Sequence, residues 1–323
     1  MEKERQWYLA VDIGGTAVKI GLVDRQGDFG RISEYNVNFD NYETPILETV
    51  LRSCELFLQE CGVELKCLQG IGVGATGYIN TVRGTVDGGC GFIRNWEGSQ
   101  VKERMEAAFH VPTFVLNDAN AAALGEVWLG AGNGCRNVVV LTIGTGVGGG
   151  IIIDSRLLLG KSGFAGEIGH MVVRHGGHAC PCGNEGCLER YASVTALVEM
   201  VREAMEKDAE GAFAIGPEEI NGRWIFKEVE KGNQRLGQIV DQWIDYIVSG
   251  IVSLCYIFNP EMVVIGGGVS AQQSLFIDKV RNKVLGILNP QFGKGPEIRA
   301  ATLANRSGMA GAAYYCMQCL ENR

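Results

Sequence analysis

Short apolar runs that end in glycine turns alternate along this chain with segments whose apolar residues recur at helical spacing. The first run, Trp7-Tyr-Leu-Ala-Val-Asp12-Ile-Gly14-Gly15-Thr16, passes straight into a second, Ala17 to Asp24, and predicts strand, turn, strand. After Thr44, Ile46, Leu47, Val50, Leu51, Cys54 and Phe57 follow the helical period and predict a helix. Gly70 to Gly74 reads as another strand, leading into Ala75-Thr76-Gly77. A short amphipathic helix follows Ser99. The strand Thr113 to Leu116 then ends at Asn117-Asp118, and an alanine-rich helix runs from Ala119 to about Leu129.

The opening pattern then returns. Asn137 to Asp154 is again strand, glycine turn, strand, so that Asp12-Ile-Gly-Gly-Thr16 and Thr142-Ile-Gly-Thr145-Gly146 form a degenerate internal repeat about 130 residues apart. A third cluster, Gly266-Gly267-Gly268, follows the strand-like Met262 to Ile265. The span Thr195 to Phe258 reads as mostly helical, and a helix from about Ser307 to Leu320 closes the chain. Strands alternating with helices, with glycine turns at strand ends, predict an α/β architecture in two similar halves, with the ligand in the cleft between them.

Composition narrows the class. With 323 residues, 46% of them hydrophobic, the chain can form two domains with full cores. A net charge of −8 argues against a nucleic-acid partner, which would call for a basic patch. The charged start Met-Glu-Lys-Glu-Arg-Gln does not read as a signal peptide, and the apolar run Tyr246 to Phe258 is too short to span a membrane. That run extends an amphipathic helix from Gln238, for which a core role is expected over an interface role. Eleven mostly scattered cysteines, an odd number, do not form a secreted disulfide framework, so a cytoplasmic protein is expected. The 46 glycines cluster after strands, where backbone is brought close to a ligand.

Glycine turns at strand ends let backbone N–H groups converge on an anion, and the hydroxyls of Thr16 and Thr145 add donors. Two such turns suit a polyphosphate. No P-loop signature is present, and the fingerprint-like Gly72 to Gly77 and Gly144 to Gly149 are not followed by the helix that dinucleotide binding requires. Asp118, at a strand end, reads either as a helix cap or as a general base for phosphoryl transfer. Asp12 faces the first turn, where a carboxylate would hold Mg²⁺ through water. Lys19 reads as a strand-end surface charge. Cys180, Cys182 and Cys187, set among glycines, have the spacing and ligand type of a structural zinc site. The fourth ligand is open among His170, His175 and His178, with spacing favouring the nearer two. Glu167, His170 and Glu189 flank the cluster and suit a ligand with several hydroxyls, although solvated loop charges would look the same.

These motifs together resemble the ROK family of repressors, open reading frames and kinases, within the actin-like ATPase superfamily, almost end to end. Asp12-Ile-Gly14-Gly15-Thr16 is similar to the family's first phosphate motif and Thr142 to Gly146 to its second. Asn117-Asp118-Ala-Asn-Ala resembles the catalytic stretch, Glu167-Ile-Gly-His170 the glutamate–histidine motif, and Ile265 to Ser270 the adenosine-side loop. The resemblance implies a two-lobed actin-like ATPase (ribonuclease H-like) α/β fold. Residues 1–117 would form a small lobe and 118–304 a large one, with the closing helix, about 305–323, packing back on the first. It implies an ATP-dependent hexose kinase with Asp118 as base. Gly77, Asn117, Glu167, His170 and Glu189 would hold the sugar. Gly14, Gly15, Thr16, Thr145, Gly146, Gly266, Gly267 and Gly268 would hold ATP, and Asp12 its Mg²⁺. It also implies that His170 completes the zinc site with the three cysteines, and that the protein is a homodimer or homotetramer. Glucose is the favoured acceptor, while N-acetylmannosamine, N-acetylglucosamine, allose, fructose and β-glucosides use the same polar ligands. A sugar-responsive regulator would carry a DNA-binding domain ahead of Asp12, and a sugar-binding module without catalysis would not need Asp118; both are less expected. Two stretches depart from the family pattern: Ala75-Thr76-Gly77-Tyr78 stands where Pro-Gly is usual, and Gly88 to Trp96 is locally unusual, with no role assigned to Arg94 or His175.

Overall fold

The computed structural model describes residues 5–89, 93–206 and 219–322. Cys90 to Phe92 of the unusual stretch, and 207–218 within the span read as helical, lie outside them. Strands β1 (Trp7–Ile13), β2 (Ala17–Val23) and β3 (Phe29–Asn36) precede helix α1 (Ile46–Cys61). Next come β4 (Leu68–Ala75), the small pair β5 (Tyr78–Asn80) and β6 (Thr85–Gly88), α2 (Val101–Phe109), β7 (Thr113–Asn117) and α3 (Asp118–Trp128). The repeat supplies β8 (Val138–Ile143), β9 (Val147–Ile153) and β10 (Arg156–Leu157). Helices α4 (Glu189–Ala192), α5 (Val194–Glu206), α6 (Gly222–Glu230) and α7 (Gln234–Phe258) follow, then β11 (Met262–Gly266), α8 (Asp278–Ile287), β12 (Glu297–Ala300) and α9 (Ser307–Glu321).

The first sheet runs β3-β2-β1-β4-β7, antiparallel through β3, β2 and β1 and parallel through β1, β4 and β7. The second runs β10-β9-β8-β11-β12, with β8, β11 and β12 parallel. The internal repeat is therefore a repeat of topology. Each sheet opens with a glycine hairpin, and its parallel strands are reached by longer helical crossovers, which parallel pairing requires. Register does the positioning. Asp12 lies opposite Lys19 on one side and Gly74 on the other, and Ala75 lies opposite Asn117, so three neighbouring strand ends come into one row.

The chain divides into two compact units, one of residues 1–134, 150–166 and 302–323, the other of 135–149 and 167–301. This corrects the expected boundary at 118, because α3 belongs to the first unit together with α9. A Cβ at Gly125 would overlap the Ser307 carbonyl, one at Gly311 the Ala121 carbonyl, and one at Gly72 the Ala312 carbonyl. Only glycine lets these backbones approach so closely. Glu126 of α3, 1% exposed, adds a polar tie: its carboxylate accepts the N–H groups of Ala131, Thr302 and Leu303 at 2.9–3.0 Å.

Leu9, Val11, Ile20, Phe57, Ile71 and Trp96 centre the first unit's core. In the second, α7 buries Trp243, Ile244, Ile247, Ile251 and Leu254, and the Trp243 ring meets Phe226 and Phe276. The apolar length of α7 thus serves a core, at about 1.5–3 kcal/mol per fully buried large side chain. No helix among the described residues is long and apolar enough to cross a membrane.

Candidate active site

In the first unit the site is built on the row of strand ends. The β1–β2 turn closes through the Gly14 N–H on the Ala17 carbonyl at 3.0 Å, and Tyr42 Oη donates to the Gly15 carbonyl at 2.9 Å. Thr16 is exposed at the tip. Beside the turn, burial pushes the Asp12 carboxyl above its ordinary pKa while the Lys19 charge pulls it back. Lys19 is thus half-buried opposite Asp12, not the surface charge its position suggested. Gly308 of α9 leaves room for this carboxylate: a Cβ there would come within 2.8 Å of Asp12 Oδ2. On the far side, a Cβ at Gly74 would lie 3.7 Å from Asp12 Oδ1 and 3.8 Å from Asp118 Cα. One glycine therefore separates the two acidic residues.

Asn117, rather than Asp118, is the side chain that caps α3. Its Oδ1 accepts from Ala119 N at 2.9 Å and Asn120 N at 3.2 Å, which satisfies two open donors at the start of α3. Its Nδ2 donates to the Gly77 carbonyl at 3.0 Å, holding that turn, in which Gly77 takes φ 105°. Trp96 Nε1 donates to the Thr76 carbonyl from the other side at 3.0 Å. Asp118 Oδ1 accepts from Ala119 N at 2.8 Å. Gly77, Asn117 and Asp118 are thus brought together, although Asn117 already has a structural task with both ends of its amide.

In the second unit the Thr145 turn is held from several directions. Gly144 N–H reaches the Gly146 carbonyl at 2.9 Å, Val194 N–H the Gly144 carbonyl at 2.8 Å, and Thr195 Oγ1 the Thr145 carbonyl at 2.8 Å. The two ends of the cysteine loop grip the strand that follows. At one end, Gly169 packs so tightly that a Cβ would overlap the Val147 carbonyl oxygen, which explains the glycine inside Glu167-Ile-Gly-His170. At the other, the Glu189 carboxylate accepts the Val147 N–H at 3.0 Å, and a Cβ at Gly146 would overlap its Oε2. Burial pushes the Glu167 carboxyl above its ordinary pKa, with His170 opposing and Glu189 reinforcing the rise.

Between those ends, one ligand atom each from His170, Cys180, Cys182 and Cys187 lies within 4.8 Å of all the others. His170 Nδ1 stands 3.6 Å from Cys180 Sγ, and the Sγ atoms of Cys182 and Cys187 are 3.6 Å apart. Three sulfurs and one imidazole in so small a volume match the donor chemistry of a tetrahedral zinc site. Of the three candidate histidines, His170 joins the cluster, while His178 packs on Tyr191 with ring centroids 5.0 Å apart.

A cavity of about 640 Å³ opens beside the second turn, lined by Gly144, Thr145, Thr195, Glu199, Arg223 and Gly268 among others. Of the third glycine cluster, only Gly268 lines it. Gly266 ends β11, and Gly267, at φ 92°, is required because a Cβ would overlap the Ile143 carbonyl oxygen. The α5 face and Arg223 had no local signal, since they reach the cavity only through helix packing.

The ROK family model matches residues 8–318. A glucokinase of Halalkalibacterium halodurans is 32% identical over 317 residues, which cover 97% of this chain and 96% of that protein. A ROK hexokinase from Thermus thermophilus, 28% identical, superposes with a TM-score of 0.81 over 98% of this chain and 100% of the other. A ROK family glucokinase from Streptomyces griseus, solved with glucose and AMPPNP, is 30% identical at a TM-score of 0.80, covering 97% and 99% of the two chains.

Proposed function

This chain belongs to the ROK family and is an ATP-dependent sugar kinase, and we propose that its acceptor is a hexose, glucose foremost, phosphorylated on O6. The observation that carries the proposal is the pair of acidic residues on either side of Gly74, at the ends of β1 and β7, the two strands that flank β4. Asp118 takes the hydroxyl proton as the sugar oxygen attacks the terminal phosphate, while Asp12 is the carboxylate suited to a hard cation. Mg²⁺ on Asp12 would neutralise charge on the phosphate oxygens.

The turns at Gly14–Thr16 and Gly144–Gly146 offer backbone N–H groups and the Thr16 and Thr145 hydroxyls to the phosphates. The adenosine takes the cavity beside Gly268. Gly77, Asn117, Glu167, His170 and Glu189 are the proposed sugar ligands. With His170 Nδ1 turned to the cysteine sulfurs, its Nε2 is the nitrogen that meets a hydroxyl. Zinc, held by His170, Cys180, Cys182 and Cys187, would fix the loop that carries these groups and take no part in the chemistry.

The test is ADP release with Mg²⁺-ATP across hexoses, N-acetylhexosamines and β-glucosides, with Asp118→Asn alongside. One sugar is expected to have the highest kcat/KM, and the variant is expected to lose about 10³-fold in kcat while still binding sugar. Near-normal turnover in Asp118→Asn would overturn the base assignment, and a preferred sugar other than glucose would replace the acceptor.

A further inference from the structure

A second cavity of about 430 Å³ lies in the second unit, walled by Arg174, Arg190, Arg235, Glu199, Tyr191 and Tyr246 among others. We propose that it is a regulatory site for a phosphoryl dianion carried on a small metabolite, coupled to the nucleotide cavity through Glu199. Three arginines line it against two glutamates, Glu199 and Glu203, a formal surplus of positive charge, and the Arg235 guanidinium also donates to the Ala204 carbonyl at 3.0 Å. The Nε–H of Arg190 is buried with no hydrogen-bond partner among the described residues, an expense that an incoming anion would remove. Arginine's planar fork suits phosphate. The Arg174 guanidinium carbon lies 6.0 Å from the Tyr191 ring centroid, and Tyr191, 4% exposed, packs on Tyr246 at 4.7 Å, so the aromatic pair braces the arginine wall. The volume falls in the range of small-ligand pockets.

Glu199 supplies the coupling, because it lines both this cavity and the larger one beside Thr145. Its carboxylate is 3.6 Å from the Arg190 guanidinium. An anion on Arg190 competes for that ion pair and leaves the Glu199 charge facing the nucleotide cavity, where it repels a triphosphate. Linkage makes the effect mutual: the anion weakens ATP binding, and the nucleotide weakens anion binding by the same factor. This coupling rests on the ATP reading of the larger cavity, whereas anion binding itself does not.

The experiment is isothermal titration of the zinc-loaded chain, without ATP or acceptor sugar, with inorganic phosphate and separately with glucose 6-phosphate. The wild type is expected to take up sugar phosphate at two sites, and Arg174→Gln/Arg235→Gln at one, with affinity at the lost site falling about tenfold or more. Arg235→Lys, which keeps the charge without the fork, is expected to fall between them. Tighter binding of the sugar phosphate than of phosphate supports a phosphosugar ligand, and equal binding supports phosphate alone. In turnover assays the double variant is expected to keep its basal kcat and KM and to lose the anion-dependent rise in KM for ATP. Identical isotherms for wild type and double variant would overturn the site. Anion binding with no change in KM for ATP would overturn the coupling through Glu199. Loss of the kinase reading alone would leave standing the difference between the wild-type and double-variant isotherms.

Discussion

The two glycine turns share a motif and a place in their sheets, yet they are braced by different means. The first, Gly14 to Thr16, follows a strand that carries its own carboxylate, Asp12, balanced by Lys19 across the hairpin. In the second, Thr142 stands at the position of Asp12, and the carboxylate comes from Glu189, 42 residues beyond Val147 in sequence. The loop that delivers Glu189 is the one whose middle gathers His170 and three cysteines. One half of the repeat thus keeps its acid on the strand, and the other imports it on a loop that a metal can lock. A borrowed group needs a support of its own, so the second turn should depend on distant residues in a way the first does not.

Zinc removal gives the largest expected break in that comparison. A metal bound at a concentration about 1,000 times its Kd contributes about 4 kcal/mol, which chelation would take from the second unit. Differential scanning calorimetry with and without chelator, together with metal analysis, checks this; a chain purified with no zinc and an unchanged melting profile would refute it. Gly169→Ala comes next. Its methyl group collides with backbone, the Val147 carbonyl, so the loss should be about 3 kcal/mol in urea denaturation. Gly14→Ala meets only the Ala17 carbonyl at 3.3 Å without a positive φ, and is expected to cost about 1 kcal/mol or less.

Asp12→Asn sharpens the other side. Because the folded-state pKa of Asp12 lies above its unfolded value, the ionised form weakens the fold. Wild-type stability therefore falls as pH rises through the folded-state pKa and stays lower above it. The variant should be more stable than wild type at neutral pH, with the gain vanishing below about pH 3.9, while kinase activity drops. Melting temperatures measured across pH decide this, and a variant less stable at neutral pH would contradict the buried-charge account. The smallest effect is expected from Glu189→Gln, which retains an acceptor for the Val147 N–H but loses the charge. A rise of about threefold in KM, under 1 kcal/mol, is expected in steady-state assays, and a collapse of kcat would instead place Glu189 in the chemistry.

Much of this is legible in the amino-acid sequence. The strands and helices follow from apolar periodicity, the hairpin turns from glycine at strand ends, and the sulfur cluster from three cysteines within eight residues. All three signals are local, since each depends on neighbours a few positions away. The choice of His170 over His175 and His178 was open to spacing and came only with the resemblance; the folded loop brings that imidazole to the sulfurs. The membership of α3 in the first unit, the pairing of Lys19 with Asp12, the grip of Glu189 on Val147 and the arginine-lined cavity had no local signature. The Lys19–Asp12 pairing is set by the register of the β1–β2 hairpin, and the others by backbone-to-backbone packing or by groups tens of residues apart in sequence, so each comes into being only as strands pair and helices pack.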